Sequence, residues 1–165
     1  MRRLLYSCIF ALIASSSVAQ ELTIRDVFRQ MPDSLMPYLS TNNRLDFIDF
    51  LDSNMKAEVK NQFDGKSEMT VMSDDSLSIR MNDALRVDML LLKLDEPLDT
   101  ISRVLVFVET FKSDSVYGDR SLKYFTPTWQ QIKKDIPLNE IQRRRIRSLG
   151  LQNILKWDSE IFNES

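Results

Sequence analysis

A chain of 165 residues with 43% apolar and 28% charged side chains has the profile of a soluble folded protein. It has no histidine, one cysteine and three well-separated glycines (Gly65, Gly118 and Gly150). That excludes His-based triads, structural disulfides, Cys/His zinc sites and phosphate-cradling glycine loops.

The first 19 residues read as an export signal. Arg2 and Arg3 form a basic start, Ile9–Ala14 an apolar centre, and Ser17-Val18-Ala19 the small residues of a cleavage site before Gln20. The apolar stretch is too short to span a bilayer, which needs about 20 residues. Cys8 precedes most of that stretch, so it is not read as a lipid-attachment site. The expectation is a periplasmic or secreted protein cleaved between Ala19 and Gln20, with residues 20–165 as one domain and no transmembrane segment afterwards. Its only cysteine is lost with the leader. Losing Arg2 and Arg3 takes the formal charge from −2 to about −4, which argues against nucleic acid as a partner.

Along the mature chain, Ile24, Val27, Phe28 and Met31 form one helical stripe, with Thr23 as cap and Pro32 as stop. Asp33 caps a further short turn. Thr41-Asn42-Asn43 opens a longer helix expected to run to about Asn61. Its apolar stripe is Leu45, Ile48, Leu51, Met55 and Val59, with Asp52 and Lys56 paired one turn apart. From residue 68 the period becomes two. Residues 68–72 and 76–81 read as a hairpin around Ser73-Asp74-Asp75, and residues 85–92 as the next strand. Asp95-Glu96-Pro97 reads as a connection, 101–111 as a central strand covered on both faces, and 121–125 as a further strand. Residues 139–148 read as a helix with Gly150 as its C-terminal cap. Residues 151–162 fit either a second helical stripe or, at 153–157, an edge strand. The fold class is α+β: N-terminal helices, an antiparallel meander of four to five strands, then a C-terminal helix.

The runs Met31-Pro32-Asp33-Ser34-Leu35-Met36-Pro37-Tyr38-Leu39 and Asn42-Asn43-Arg44-Leu45-Asp46-Phe47-Ile48-Asp49-Phe50 carry a resemblance, together with Gly65-Lys66-Ser67 and Asp74-Asp75-Ser76-Leu77. The sequence resembles a Bacteroidales family of small uncharacterised secreted proteins, catalogued as domain of unknown function 3256. The resemblance implies an envelope or secreted location and a single α+β domain, and carries over no catalytic residue.

Several constellations have chemical potential. Asp46, Asp49 and Asp52 recur at three-residue spacing, which could pair carboxylates for glycan hydrolysis or calcium, but drifts around a helix as a solvated face does. Asp74-Asp75 and Asp114 with Asp119 lie in expected turns, where Asp bonds nearby amides. Trp129, Trp157, Tyr117 and Tyr124 could form a stacking surface or plug the edge of a core, and the methionines suit core filling. No Ser-x-x-Lys occurs in the mature chain. Arg143, Arg144, Arg145 and Arg147 form the strongest charge feature. They fit either an anionic-partner patch or simple complementarity to a helix C-terminus, with Ile141 and Ile146 turned to the core. No catalytic, cofactor or metal residue is assigned. The reading that follows is an exported envelope protein acting as a non-catalytic binding or assembly module, for an envelope protein or an anionic lipid or glycan. A carboxylate-based glycan hydrolase, and an inhibitor or adaptor that covers a partner with its sheet, are the alternatives.

Overall fold

The computed structural model describes residues 21–113 and 116–149; the expected leader, Asp114, Gly150, Trp157 and the 151–162 segment lie outside them. Helix α1 (Ile24–Arg29), a 3-10 turn (Asp33–Leu35) and helix α2 (Thr41–Asp52) come first. Seven strands follow: β1 (Glu58–Lys60), β2 (Lys66–Met72), β3 (Ser76–Arg80), β4 (Leu85–Leu98), β5 (Ile101–Ser113), β6 (Val116–Phe125) and β7 (Gln131–Ile132). Helix α3 (Glu140–Ser148) closes the described chain. All strand pairs are antiparallel, and the order across the sheet is the order along the chain. The architecture is α+β, with seven strands in place of the expected four to five. The two additional ones, β1 and β7, are too short for a period of two to show.

Strand β1 exists because α2 stops at Asp52, well before the expected Asn61. Asn54 adopts a left-handed backbone (φ 54°), and its amide donates to Leu51 O at 3.0 Å while that of Met55 donates to Phe50 O at 2.8 Å. These two reversed bonds form a Schellman ending, with Asn in the position usually held by Gly. The chain then extends, so Val59 enters the core from a strand, while Met55 and Leu45 are exposed instead of lining a helical stripe. The expected Asp52–Lys56 pair does not form. Asp52 binds Arg25 at 2.6 Å, and Lys56 binds Glu58 at 2.7 Å.

Asp95-Glu96-Pro97, expected as a connection, belongs to β4. The β4–β5 register shifts between Lys93 and Leu98, an irregularity that tolerates a proline without an N–H. The chain reverses one step later, at Asp99 (φ 55°).

Each helix begins at a reciprocal capping box: Thr23 with Asp26, Ser40 with Asn43, and Asn139 with Gln142. The main core lies between one sheet face and α1–α2, built from Ile24, Phe28, Phe47 and Ile48 against Leu77, Ile79, Met89 and Phe107, among others. A smaller core lies on the opposite face, where Ile146 of α3 meets Leu90, Leu92, Val106 and Val108. Two polar side chains shape the first core. Arg44 is 1% exposed, and its guanidinium donates to Met31 O (2.7 Å), Leu39 O (3.0 Å) and Thr41 Oγ1 (3.1 Å) and pairs with Asp33 (2.7 Å). Asn61 donates to Ser67 Oγ and Met81 O and accepts from the amides of Phe63 and Gly65. The Gly65-Lys66-Ser67 run therefore belongs to a tight β1–β2 turn built around the Asn61 amide.

Candidate functional site

Paired residues across an antiparallel sheet share a face, so the register lays out what α3 covers. One row runs Val71, Ser78, Asp88, Val108 and Leu122; the row on one side of it contains Ser76, Leu90, Val106 and Tyr124, and that on the other Arg80, Arg86, Thr110 and Arg120. This face is therefore graded. It is apolar where α3 lies on it and polar beyond the helix C-terminus.

In the polar half, Asp88 is 1% exposed. Both its oxygens accept from Arg86 Nε at 3.1 Å, Ser78 Oγ makes a short bond to it, and Arg86 also donates to Ser78 Oγ at 3.1 Å. A buried carboxylate requires such compensation. Each group here is taken up by its neighbours, which makes the cluster a structural anchor. Sequence reasoning missed it. The signal was Arg86-Val87-Asp88, where the off-face residues of an alternating strand are ionic before becoming leucine. Arg120, half-buried next to this cluster, donates to Ile146 O (3.0 Å) and Leu149 O (2.8 Å), closing the C-terminal end of α3. Burial lowers the pKa of its guanidinium, against the opposing pull of Asp88.

The helix itself divides its arginines. Gln142 and Ile146 face the sheet, with Gln142 Nε2 donating to Lys93 O at 2.7 Å. Arg145 crosses to Asp75 at 2.7 Å on the β3 side. Arg147 pairs with Glu140 on the opposite flank. Arg143 is exposed and uses its Nε to bond Leu138 O at 3.0 Å. Arg144 is exposed too. Ile141 is 70% exposed, so only Ile146 of the two expected isoleucines is in the core. The four guanidiniums are thus spread around the helix, two of them already holding carboxylates.

On the β6 flank, Leu122, Tyr124 and Ile146 form the floor of a groove of about 260 Å³, walled by Glu140, Arg143 and Arg147. Leu122 is 44% exposed. Burial raises the pKa of the Tyr124 phenol, with Arg143 and Arg120 pulling the other way. An apolar floor under guanidiniums suits a ligand with an apolar body and a negative charge.

The remaining candidates resolve simply. Asp46 and Asp49 are exposed on α2, and Asp52 is neutralised by Arg25. Asp74 and Asp75 lie in the β2–β3 turn, where Asp75 O accepts from Leu91 N; Asp119 is exposed in β6. Trp129 plugs the main core: its indole N–H donates to Val27 O at 2.8 Å, and its ring meets those of Phe107 and Phe125. No helix among the described residues is long and apolar enough to cross a membrane.

The family profile described as "Protein of unknown function (DUF3256)" matches residues 14–150. The chain belongs to this family. Among solved structures, the fold resembles a domain of an uncharacterized protein from Porphyromonas gingivalis W83, with a TM-score of 0.54 and 17% identity over 77% of this chain and 68% of that one. At that identity the likeness shows the fold alone. Its Porphyromonas source agrees with a Bacteroidales family. A search of curated proteins finds no match.

Proposed function

We propose that the protein is exported with cleavage between Ala19 and Gln20, and that residues 20–165 act as a non-catalytic binding or assembly module of the envelope. Its partner is an acidic surface met by the outward flank of α3. The observation that carries this reading is the groove beside α3, where Arg143 stands over the apolar floor of Leu122, Tyr124 and Ile146, with Arg144 exposed next to it. Neither arginine is spent on an internal carboxylate among the described residues, unlike Arg145 and Arg147. On a chain of net charge −2, this local excess of positive charge orients an approaching anion.

Export is tested by N-terminal sequencing of the protein recovered from the native envelope or medium. The expected first residue is Gln20; a start at Met1, or lipid on Cys8, contradicts it. Binding is tested by retention on immobilised poly-glutamate. Wild type is expected to be retained at low salt and released as salt shortens the screening length to about 8 Å. The double variant R143Q/R144Q is expected to bind about three- to tenfold more weakly with an unchanged unfolding midpoint, since these side chains are exposed. Equal retention of variant and wild type would contradict the reading.

A further inference from the structure

The groove lies beside an open strand edge. On its inner side β6 pairs with β5 along its length, but on its outer side β7 meets only Tyr124 and Phe125. Beyond β7 the chain is drawn away over the β4–β5 tip, where Lys134 pairs with Asp99 (2.7 Å) and Asn139 bonds Asp95 (2.6 Å). The amide of Thr126 donates to Gln130 O at 2.8 Å, which fixes the phase of the alternation. From Arg120 to Tyr124, clear of the register shift near the β5–β6 turn, even-numbered residues of β6 turn their backbone groups outward. The N–H and C=O of Leu122 and Arg120 therefore face a side on which no strand lies among the described residues. The side chains of these residues share the face covered by α3, so the open backbone and the groove floor are presented together.

An unpaired edge with an exposed apolar side chain is a template for another strand. We propose that the β6 edge receives an extended segment of a partner protein by strand addition, its groove-side residues alternating between apolar and acidic. The apolar residue rests on Leu122, Tyr124 and Ile146, and the carboxylate reaches Arg143. This rests on the acidic-partner reading above and supplies its mode. Residues on one face of a strand repeat at about 6.6–6.8 Å, so neighbouring groove-side residues divide the work, one on the apolar floor and one toward Arg143. A lipid surface offers an anion but no backbone donors and acceptors at that spacing. A second copy of β6 would bring its own cationic flank against this one, which like charges disfavour.

The test is selection of a displayed library of random dodecapeptides on the mature protein. Enriched peptides are expected to carry an apolar residue and an Asp or Glu two positions apart, on one face of the strand, and to lack central proline. Their affinity should fall about three- to tenfold with R143Q, and be lost when alternate peptide amides are N-methylated. Leu122→Pro removes the outward N–H together with the leucine side chain, a backbone change an edge strand tolerates, and should abolish binding while the circular dichroism spectrum is kept; Leu122→Ala, which keeps the N–H, should only weaken it. If that variant does not fold, the N-methylated peptides decide. Peptides that lose affinity with R143Q but survive N-methylation overturn strand addition and leave the acidic-partner reading standing; peptides indifferent to both, or basic peptides, overturn both. Concentration-dependent dimerisation abolished by L122P assigns the edge to a second copy. Binding that appears only after removal of residues 151–165 assigns it to the chain's own tail. Binding of phosphatidylglycerol vesicles with no enriched peptide assigns the groove to lipid. Each of these three overturns the proposal.

Discussion

Arg44→Met is expected to destabilise the protein by about 2–4 kcal/mol in urea unfolding, although methionine nearly preserves the buried volume. The guanidinium is the partner of two main-chain carbonyls, Met31 O and Leu39 O, in the segment that leads from α1 to α2. Its removal leaves both buried and unsatisfied, at about 1–3 kcal/mol each. Asp33 is largely exposed and is rehydrated at little cost. Lysine should recover only part of the loss, because a single ammonium cannot reproduce a planar fork directed at Met31, Leu39 and Thr41. A change below about 1 kcal/mol for Arg44→Met would show that these carbonyls find water, and that Arg44 does not organise the connection.

Trp129→Ala should cost about 3–5 kcal/mol, the range for removing a large buried aromatic side chain. Trp129 is 8% exposed and sits among Phe107, Phe125 and Val27, so its loss opens a cavity and leaves the Val27 carbonyl with only the Gln30 amide as donor. Its backbone lies at φ 66°, a conformation costly for a bulky side chain, which persists only where the surroundings overdetermine it. Trp129→Phe retains most of the packing and loses the hydrogen bond, for about 1–2 kcal/mol. Against a typical stability of 5–15 kcal/mol, the alanine variant should be close to its limit at physiological temperature. Thermal and urea unfolding of the three proteins, expected in the order wild type, Phe, Ala, checks this. An alanine variant as stable as the phenylalanine variant would remove the cavity argument.

The chemistry behind these two residues also shows what could be read in the chain. The helical stripe of Ile24, Val27 and Phe28, and the alternation of Leu77, Ile79, Val87 and Met89, carry the main core in plain view, because each has one clear period. The end of α2 did not show. Val59 continues a helical spacing by coincidence, and only Ser53-Asn54, an Asn able to take the left-handed turn, marks the stop. Arg44 was hidden for a different reason: a charged residue on a helix reads as solvent-facing until the carbonyls that bind it are known. Asp88 was hidden likewise, since Ser78 reaches it only through sheet register, and Arg86 two residues before it on the same strand reads as an ordinary exposed pair. At the candidate site the arginines of α3 were visible as a charge run. Their division among Asp75, Glu140, Leu138 and solvent was not, because it depends on where the helix crosses the sheet. The open edge of β6 could not be read at all, as an edge is defined by the strand that is missing beside it.

The claim that function resides on the α3–β6 face is tested most directly by site-specific photo-crosslinking in the native cell. A photoreactive phenylalanine analogue replaces Leu122 in the groove floor or, as the control, Phe63, which is 62% exposed at the β1–β2 turn and packs on Tyr38. The expected result is a discrete, salt-sensitive adduct from position 122 that is lost in the R143Q/R144Q background, with none from position 63. Adducts from position 63 and none from 122 would contradict the account.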